Sequence, residues 1–357
     1  MFRGTGAAHS LPSHQHEKWG AMSDEQYAVV ITTINHPTRA VDEIEANAPK
    51  LGAAFHVIGD SKSPPDFKLA AGHYFDIDAQ VATGFRFAAL CPTKHYARKN
   101  IGYLTAIRGG ASIIVETDDD NIPMPGFWDQ RVRTVEAPLV SGSTWCNVYS
   151  FFTETQIWPR GLPLDRVRDP VQSLSTFASQ ASDCPIQQGL ADGDPDVDAI
   201  YRLVLPLPLD FEAGRTVVLD KGVWCPFNSQ NTTFWADAFP LLYLPYHCSF
   251  RMTDIWRSFV AQRIMWENGW KMMFHSSTVF QERNEHNLLR DFADEVPGYL
   301  HNDRIRKTLE DLPIAGGIAS IPDNVRMSYR ALIEMDLVGK DEEALLDAWL
   351  QDLQGLM

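Results

Sequence analysis

One stretch constrains this chain more than any other: Ser112-Ile113-Ile114-Val115-Glu116-Thr117-Asp118-Asp119-Asp120-Asn121. A β-branched apolar run of this kind makes a buried strand, and here it ends abruptly in three consecutive carboxylates. Adjacent acids repel one another and are disfavoured in strands, so the cluster needs a cation or a special site. In open α/β sheets, ligands bind at the carboxyl ends of strands, where this cluster falls. Hard oxygen ligands suit Mg²⁺ or Mn²⁺, ions that also hold a diphosphate. A solvated acidic turn is the plain alternative. The position directly after a clear strand favours a metal–nucleotide site.

The flanking segments supply the rest of such a sheet. Tyr27–Ile34 reads as the first buried strand, and Asn35-His36-Pro37-Thr38 breaks it before a helix from Arg39 to Ala48. Ala53–Ile58 reads as a second strand ending in Gly59-Asp60, followed by Pro64-Pro65 and a loop with His73 and Tyr74. Ala97–Arg108 carries Ile101, Leu104 and Ile107 on one helical face, with Gly109-Gly110 as its stop. Strand, helix, strand, helix, strand is the pattern of a parallel sheet with right-handed crossovers. Further on, strands are expected within Pro138–Val148, Thr216–Leu219 and Met272–Phe274, the last ending at His275. Gln187–Asp198 reads as an acidic loop. Thr253–Asn268 reads as a helix with Thr253 as N-cap. Beyond Pro313, helices are expected over Asn324–Leu337 and Asp341–Leu353.

With 357 residues the chain can bury a sizeable core. A formal net charge of −15 argues against nucleic acid or an anionic membrane as partner. An anionic nucleotide stays compatible, given local basic residues and a bridging metal. Five scattered cysteines without a CxxC pair indicate neither a zinc knuckle nor a disulfide framework, and a cytoplasmic setting is the expectation. No apolar run is long enough to span a bilayer. The N-terminus lacks the apolar core of a signal peptide and offers a second start at Met22. Residues 1–24, with His9, His14 and His16, read as a disordered extension, residues 25–312 as the main domain and 313–357 as a helical C-terminal extension.

Several side chains stand out as chemistry. Asp118 and Asp120 can share one side of an extended strand end while Asp119 points away. His275 is a candidate further ligand, or a structural histidine. Arg98 and Lys99 open the helix before the acidic strand, where dipole and charge together favour phosphate; a solvated basic end is the alternative. Asp60 can accept hydrogen bonds from a base or ribose, or shape a turn. Asp254, in the first turn of its helix, suits a base or an acceptor-orienting group, or simply the dipole. Asp192, Asp194, Asp196 and Asp198 alternate like calcium-loop ligands but lack EF-hand spacing. The tryptophans are mostly core, with one or two available to stack on a sugar.

The stretches Ile31–Asn35, Tyr96–Leu104, Glu116–Asn121, Trp158–Asp165 and Gln187–Asp198 resemble the STELLO family of glycosyltransferase-like proteins, from about Val29 to Asn287. A weaker similarity, in the same order, is to the reversibly glycosylated polypeptides, which include UDP-arabinopyranose mutases. Their acidic triplet matches Asp118-Asp119-Asp120 and the arginine that becomes glycosylated falls on Arg160, although the motif here reads Arg-Gly-Leu-Pro. The resemblance implies a GT-A-like nucleotide-sugar fold, Rossmann-like and mostly parallel, that uses Mn²⁺ or Mg²⁺. A late histidine commonly completes the metal shell in that fold, which points to His275 beside Asp118, Asp119 and Asp120. Arg98 and Lys99 are then expected to face the phosphates, and Thr33, Asn35 and Asp60 to line the nucleotide pocket. Asp254, Arg160, Asp194 and Asp196 are expected on the sugar or acceptor side. The implied activity is transfer from a nucleoside diphosphate sugar, UDP-linked, to a glycan or small-molecule acceptor. A pyranose–furanose mutase and a non-catalytic scaffold are the alternatives, and a homo-oligomer is left open.

Overall fold

The computed structural model describes residues 26–170, 172–283 and 287–357. The expected N-terminal extension, including its three histidines, lies outside them. Strand β1 (Tyr27–Thr32) leads through α1 (Arg39–Asn47) to β2 (Ala54–Ile58) and the short β3 (His73–Phe75). Helices α2 (Ile77–Ala82), α3 (Arg86–Leu90) and α4 (Lys99–Arg108) come before β4 (Ile113–Thr117), β5 (Asn121–Pro123) and β6 (Thr134–Val140). After an irregular stretch come β7 (Ser179–Asp183), β8 (Ile186–Gly193), α5 (Ala199–Val204), β9 (Thr216–Leu219) and β10 (Asn231–Trp235). Helix α6 (Thr253–Glu267), β11 (Met272–Gln281), α7 (Leu288–Glu310), α8 (Ile321–Glu334) and α9 (Glu342–Gln354) complete the described chain.

The strands form one mixed sheet in the order β3-β2-β1-β4-β10-β8-β11-β9-β6-β7, with β5 pairing to the end of β11. From β3 to β4 all neighbours are parallel, as the alternating sequence pattern requires. Strand β10 runs antiparallel between β4 and β8. Since β11 is parallel to β8, the carboxyl ends of β1, β4, β8 and β11 share one edge of the sheet. That edge carries the site. Helix α4 was read as one-sided, yet every residue from Lys99 to Ile107 is buried. Gly102 permits this: a Cβ there would come within 2.5 Å of Val30 Cγ1 and 2.8 Å of Ile58 Cγ1, so only glycine lets α4 lie on β1 and β2.

Four local readings are corrected. Gln187–Gly193 is a strand in the middle of the sheet, because its glutamine amides are satisfied internally: Gln187 Nε2 donates to the Val132 and Cys184 carbonyls, and Gln188 Nε2 to that of Gly189. The loop around His73 and Tyr74 contains β3, which extends the parallel edge. Strand β11 does not stop at His275; a register shift between His275 and Val279 carries it on to Gln281. Thr253 is the first helical residue of α6 rather than its cap, which is Met252. Helix α7, with Pro297 inside it, was not anticipated.

The C-terminal helices share the main core. Helix α8 packs on α6 and α7, and α9 packs on α3 and α4. Trp349, fully buried, sits 6.1–6.4 Å from the rings of Phe87, Tyr103 and Tyr243. Glu342 accepts from the Tyr243 hydroxyl and from the backbone N–H groups of Tyr246 and His247. Trp349→Ala should therefore cost about 3–5 kcal/mol of global stability, measured by denaturant unfolding, as expected for a core aromatic. A detachable extension would show a change near zero.

Candidate functional site at the carboxyl edge of the sheet

Two adjoining clefts open at this edge. The outer one, about 680 Å³, is lined on one side by Thr33, Asn35, Asp60 and Arg98 and on the other by Phe250, Arg251 and Arg290. The inner one, about 250 Å³, gathers Asp118, Asp119, Asp120, Arg160, Asp196 and Asp254. Asp119, Tyr96, Phe250 and Arg251 border both. Of the acids at the β4 end, Asp119 thus stands where the clefts meet, and Asp118 and Asp120 face the inner one.

Each acid of the triplet has its own setting. Asp119 Oδ2 accepts from Thr33 Oγ1 at 2.5 Å and Asn35 Nδ2 at 3.0 Å, which ties the β4 end to the β1 end. Its carbonyl accepts from the Thr38 hydroxyl, which also caps α1. Burial pushes the Asp119 carboxyl up, against the hydrogen bonds of Thr33 and Asn35. Asp118 Oδ1 takes the Lys99 ammonium at 2.7 Å. Asp120 Oδ2 accepts from Gln281 Nε2 at 3.1 Å.

Most donors of the two basic residues are committed elsewhere than to an open phosphate pocket, Arg98 Nη2 being unpartnered among the described residues. Lys99 is fully buried beneath the acids and also donates to the carbonyls of Thr117 and Ser229, at 2.8 and 3.3 Å. Arg98 borders the outer cleft, but its Nε donates to Gln80 Oε1 and its Nη1 to the Cys91 carbonyl. Asp60 likewise borders that cleft while its carboxylate holds the backbone N–H groups of Ser61, Lys94 and His95.

His275 is not brought to the acids. It sits on β11, three strands from β4, which at ordinary strand spacing is roughly 14 Å. Its Nδ1 lies 2.8 Å from the Ser276 carbonyl, and burial lowers its imidazole to about 4. The bulge after it is the reason: the strand swings so that Val279–Gln281 pair with Pro123–Asn121, and Gln281 arrives beside Asp120 instead. Among the described residues no group of three or more His, Cys, Asp or Glu is placed to enclose a metal.

The inner cleft is built on Arg160. Its Nε and Nη2 make a two-pronged pair with Asp196, both at 2.8 Å. Nη1 and Nη2 also reach Asp254, at 3.1 and 3.0 Å. Asp196 further accepts from Asn228 Nδ2, and Asp254 from the Ser229 N–H and the Tyr96 hydroxyl. Burial disfavours all three charges, yet the mutual attraction outweighs it. Arg160 is held well above the ordinary guanidinium range, the Asp196 carboxyl well below the ordinary carboxylate range, and the Asp254 carboxyl below it. Gly161, at φ +92°, turns the loop directly behind the guanidinium, and a Cβ there would strike Ile255 at 2.5 Å. Asp194 stays outside both clefts, paired with Arg202.

Behind this loop, Asp198 accepts from Trp158 Nε1 at 2.6 Å and from the Tyr201 N–H at 2.7 Å. Burial raises its carboxyl from 3.8 to about 6, more than these hydrogen bonds offset. The folded state then holds a proton that the unfolded chain releases, so this residue's contribution to stability falls as pH rises from about 4 to about 6. Asp198→Asn should flatten that slope relative to the parent in urea unfolding at pH 4.5 and 7. A parallel pair of slopes would remove Asp198 from the account.

Sequence reasoning missed Tyr96, Asn228, Gln281, Arg251 and Arg283 as lining groups. Tyr96 opens the quoted Tyr96–Leu104 stretch without standing out in it, the others lie in no quoted motif, and only the fold brings them together.

Fold and site together define a mixed α/β protein with an acidic strand-end cleft. The profile of the STELLO glycosyltransferases matches residues 251–357, and so reaches over the tail beyond Pro313 that motif reading left unmatched. Probable glycosyltransferase STELLO2 of Arabidopsis thaliana is 28% identical over 367 residues, covering 96% of this chain and 45% of that protein. Probable glycosyltransferase STELLO1 of the same plant is 28% identical over 358 residues, covering 95% and 44%. The chain thus spans a little under half the length of these curated relatives. These matches bear out the STELLO resemblance read from the motifs. No described helix is long and apolar enough to cross a membrane.

Proposed function

We propose that this chain is a GT-A-like glycosyltransferase that takes a sugar from a nucleoside diphosphate donor, UDP-linked, with Mn²⁺ or Mg²⁺. The observation that carries the reading is the acid triplet at the strand end, with all three acids on the inner cleft and Asp119 also on the outer one. Thr33, Asn35 and Asp60 border the outer cleft, which is large enough for a nucleotide. Arg160, Asp196 and Asp254 border the inner one, which in this reading takes the sugar. Sequence similarity to two probable glycosyltransferases supports the same class.

The donor set suits a hard divalent ion held by few protein ligands. Asp118 and Asp120 both border the inner cleft, and Lys99 takes only one oxygen of Asp118. Such an ion is bound through one or two carboxylates, with substrate phosphates and water completing its shell. When bound, it would neutralise charge on the departing diphosphate. Asp119 would hold the β1 and β4 ends in register, and Lys99 would keep the acid cluster from repelling itself apart. Asp254, ionised across the neutral range, would orient an acceptor hydroxyl and take up its proton late in transfer. Arg160 would fix Asp254 and Asp196; with its three nitrogens already hydrogen-bonded, it is poorly suited to accept a sugar covalently. Calorimetry with UDP and a panel of UDP-sugars, in Mn²⁺ and in chelator, tests the reading. Binding only with the ion is the expected result, and product analysis with donor alone would expose a mutase.

A further inference from the structure

Arg283 follows β11 by two residues and borders the inner cleft beside Gln281, the residue that holds Asp120. Its side chain is nine-tenths buried. Nη2 lies 3.1 Å from Asp291, while Nη1 is 3.9 Å from Asp194, beyond hydrogen-bond reach. Its Nε is buried and has no hydrogen-bond partner among the described residues. Arg202 stands behind it, paired with Asp194 and the Pro195 carbonyl, and its Nε is unpartnered in the same way. Arg251 borders both clefts and leans on Glu295 at 2.9 Å. Burial, then the charges of Arg202 and Arg251, bring Arg283 down to about 10.

Buried guanidinium N–H groups are ordinarily satisfied, so each exception asks for a partner. Asp194, Asp291 and Glu295 match the three positive charges in number, so what is unmet here is hydrogen-bond geometry. A planar fork of donors fits the oxygens of phosphate or carboxylate better than those of a neutral sugar hydroxyl. Lys99 does not compete for this task, because its ammonium is engaged below the clefts, and Arg98, whose Nη2 is also unpartnered, borders the outer cleft and not the inner one. We infer that Arg283, with Arg251 beside it and Arg202 in support, forms an oxyanion site in the inner cleft for a phosphate or carboxylate of the substrate. The inference rests on the proposed sugar-transfer reading only for the name of that substrate. Two sources share the chemistry: the donor's diphosphate, and an acidic group on the sugar or acceptor.

The site can be probed without any metal. Inorganic pyrophosphate, titrated in the presence of chelator, should bind the parent protein saturably. It should bind Arg283→Met at least about 10-fold more weakly, as for loss of a charge-assisted contact. Arg283→Lys, which keeps the charge but not the fork, guards against misfolding of the first variant and should also be weakened. Equal affinity in the parent and both Arg283 variants, or no binding by the parent, would overturn the proposal. A parent that binds pyrophosphate but not UDP with Mn²⁺ would keep the site and remove the nucleotide reading. Two further titrations identify the source. Weaker UDP but unchanged uridine binding by Arg283→Lys assigns the diphosphate, whereas unchanged UDP but lost galacturonate binding assigns an acidic sugar or acceptor.

Discussion

Asp120→Ala should abolish metal-dependent UDP binding, with a loss of roughly 100-fold or more, the equivalent of about 3 kcal/mol. Asp120 accepts from the Gln281 amide and borders the inner cleft with Asp118. Asp118 already shares an oxygen with Lys99. Under the proposed reading, removing Asp120 would strip the ion of a principal protein ligand. Calorimetry in Mn²⁺ and in chelator measures this directly, and equal UDP affinity under both conditions in the parent would sink the metal reading. His275→Gln serves as the contrast: with its imidazole three strands away, the metal requirement should survive.

Asp254→Asn should lower turnover by about 100-fold while leaving UDP affinity within a small factor, since positioned proton transfer contributes about 10²–10⁴-fold. The residue borders the inner cleft and not the outer one, so the nucleotide side should not register the change. Arg160 and the Ser229 N–H hold the carboxylate in place, and asparagine preserves much of that shape without the charge. Because its carboxyl lies below the ordinary range, the parent should show no activity limb from Asp254 above pH 5. Parent-like turnover in the variant, with an identified donor and acceptor, would assign Asp254 to scaffolding alone.

How much of this was legible depends on how local the signal was. Strands β1, β2 and β4 and helices α1 and α4 show in the sequence because period and punctuation coincide there, and the acids after Thr117 mark the sheet's working edge. The pairing of Thr33 and Asn35 with Asp119 was not legible; it arises because β1 and β4 are neighbours in the sheet. Strand β8 was misread because glutamines, glycine and aspartates spell a loop, and only cross-strand carbonyls make those glutamines acceptable inside a sheet. His275 was misplaced because a bulge cannot be seen in a run such as Phe-His-Ser-Ser-Thr-Val. Helix α7 escaped notice since Pro297 interrupts its pattern and its apolar residues do not form a clean stripe. Arg283 has no local signature at all; its meaning lies in what surrounds it.

The sheet order also bears on how the chain is made. Strand β4, whose end carries the acids, waits for its neighbour β10, more than a hundred residues further along. At ordinary translation speeds that is an interval of roughly 5–20 s. Through that interval an apolar Ile-Ile-Val edge has no partner on one side, and β5 must wait longer still for β11. Such late-closing strands expose aggregation-prone edges during synthesis. Slower growth at low temperature, or a holding chaperone supplied in excess, should raise the soluble yield more than any change at the protein surface.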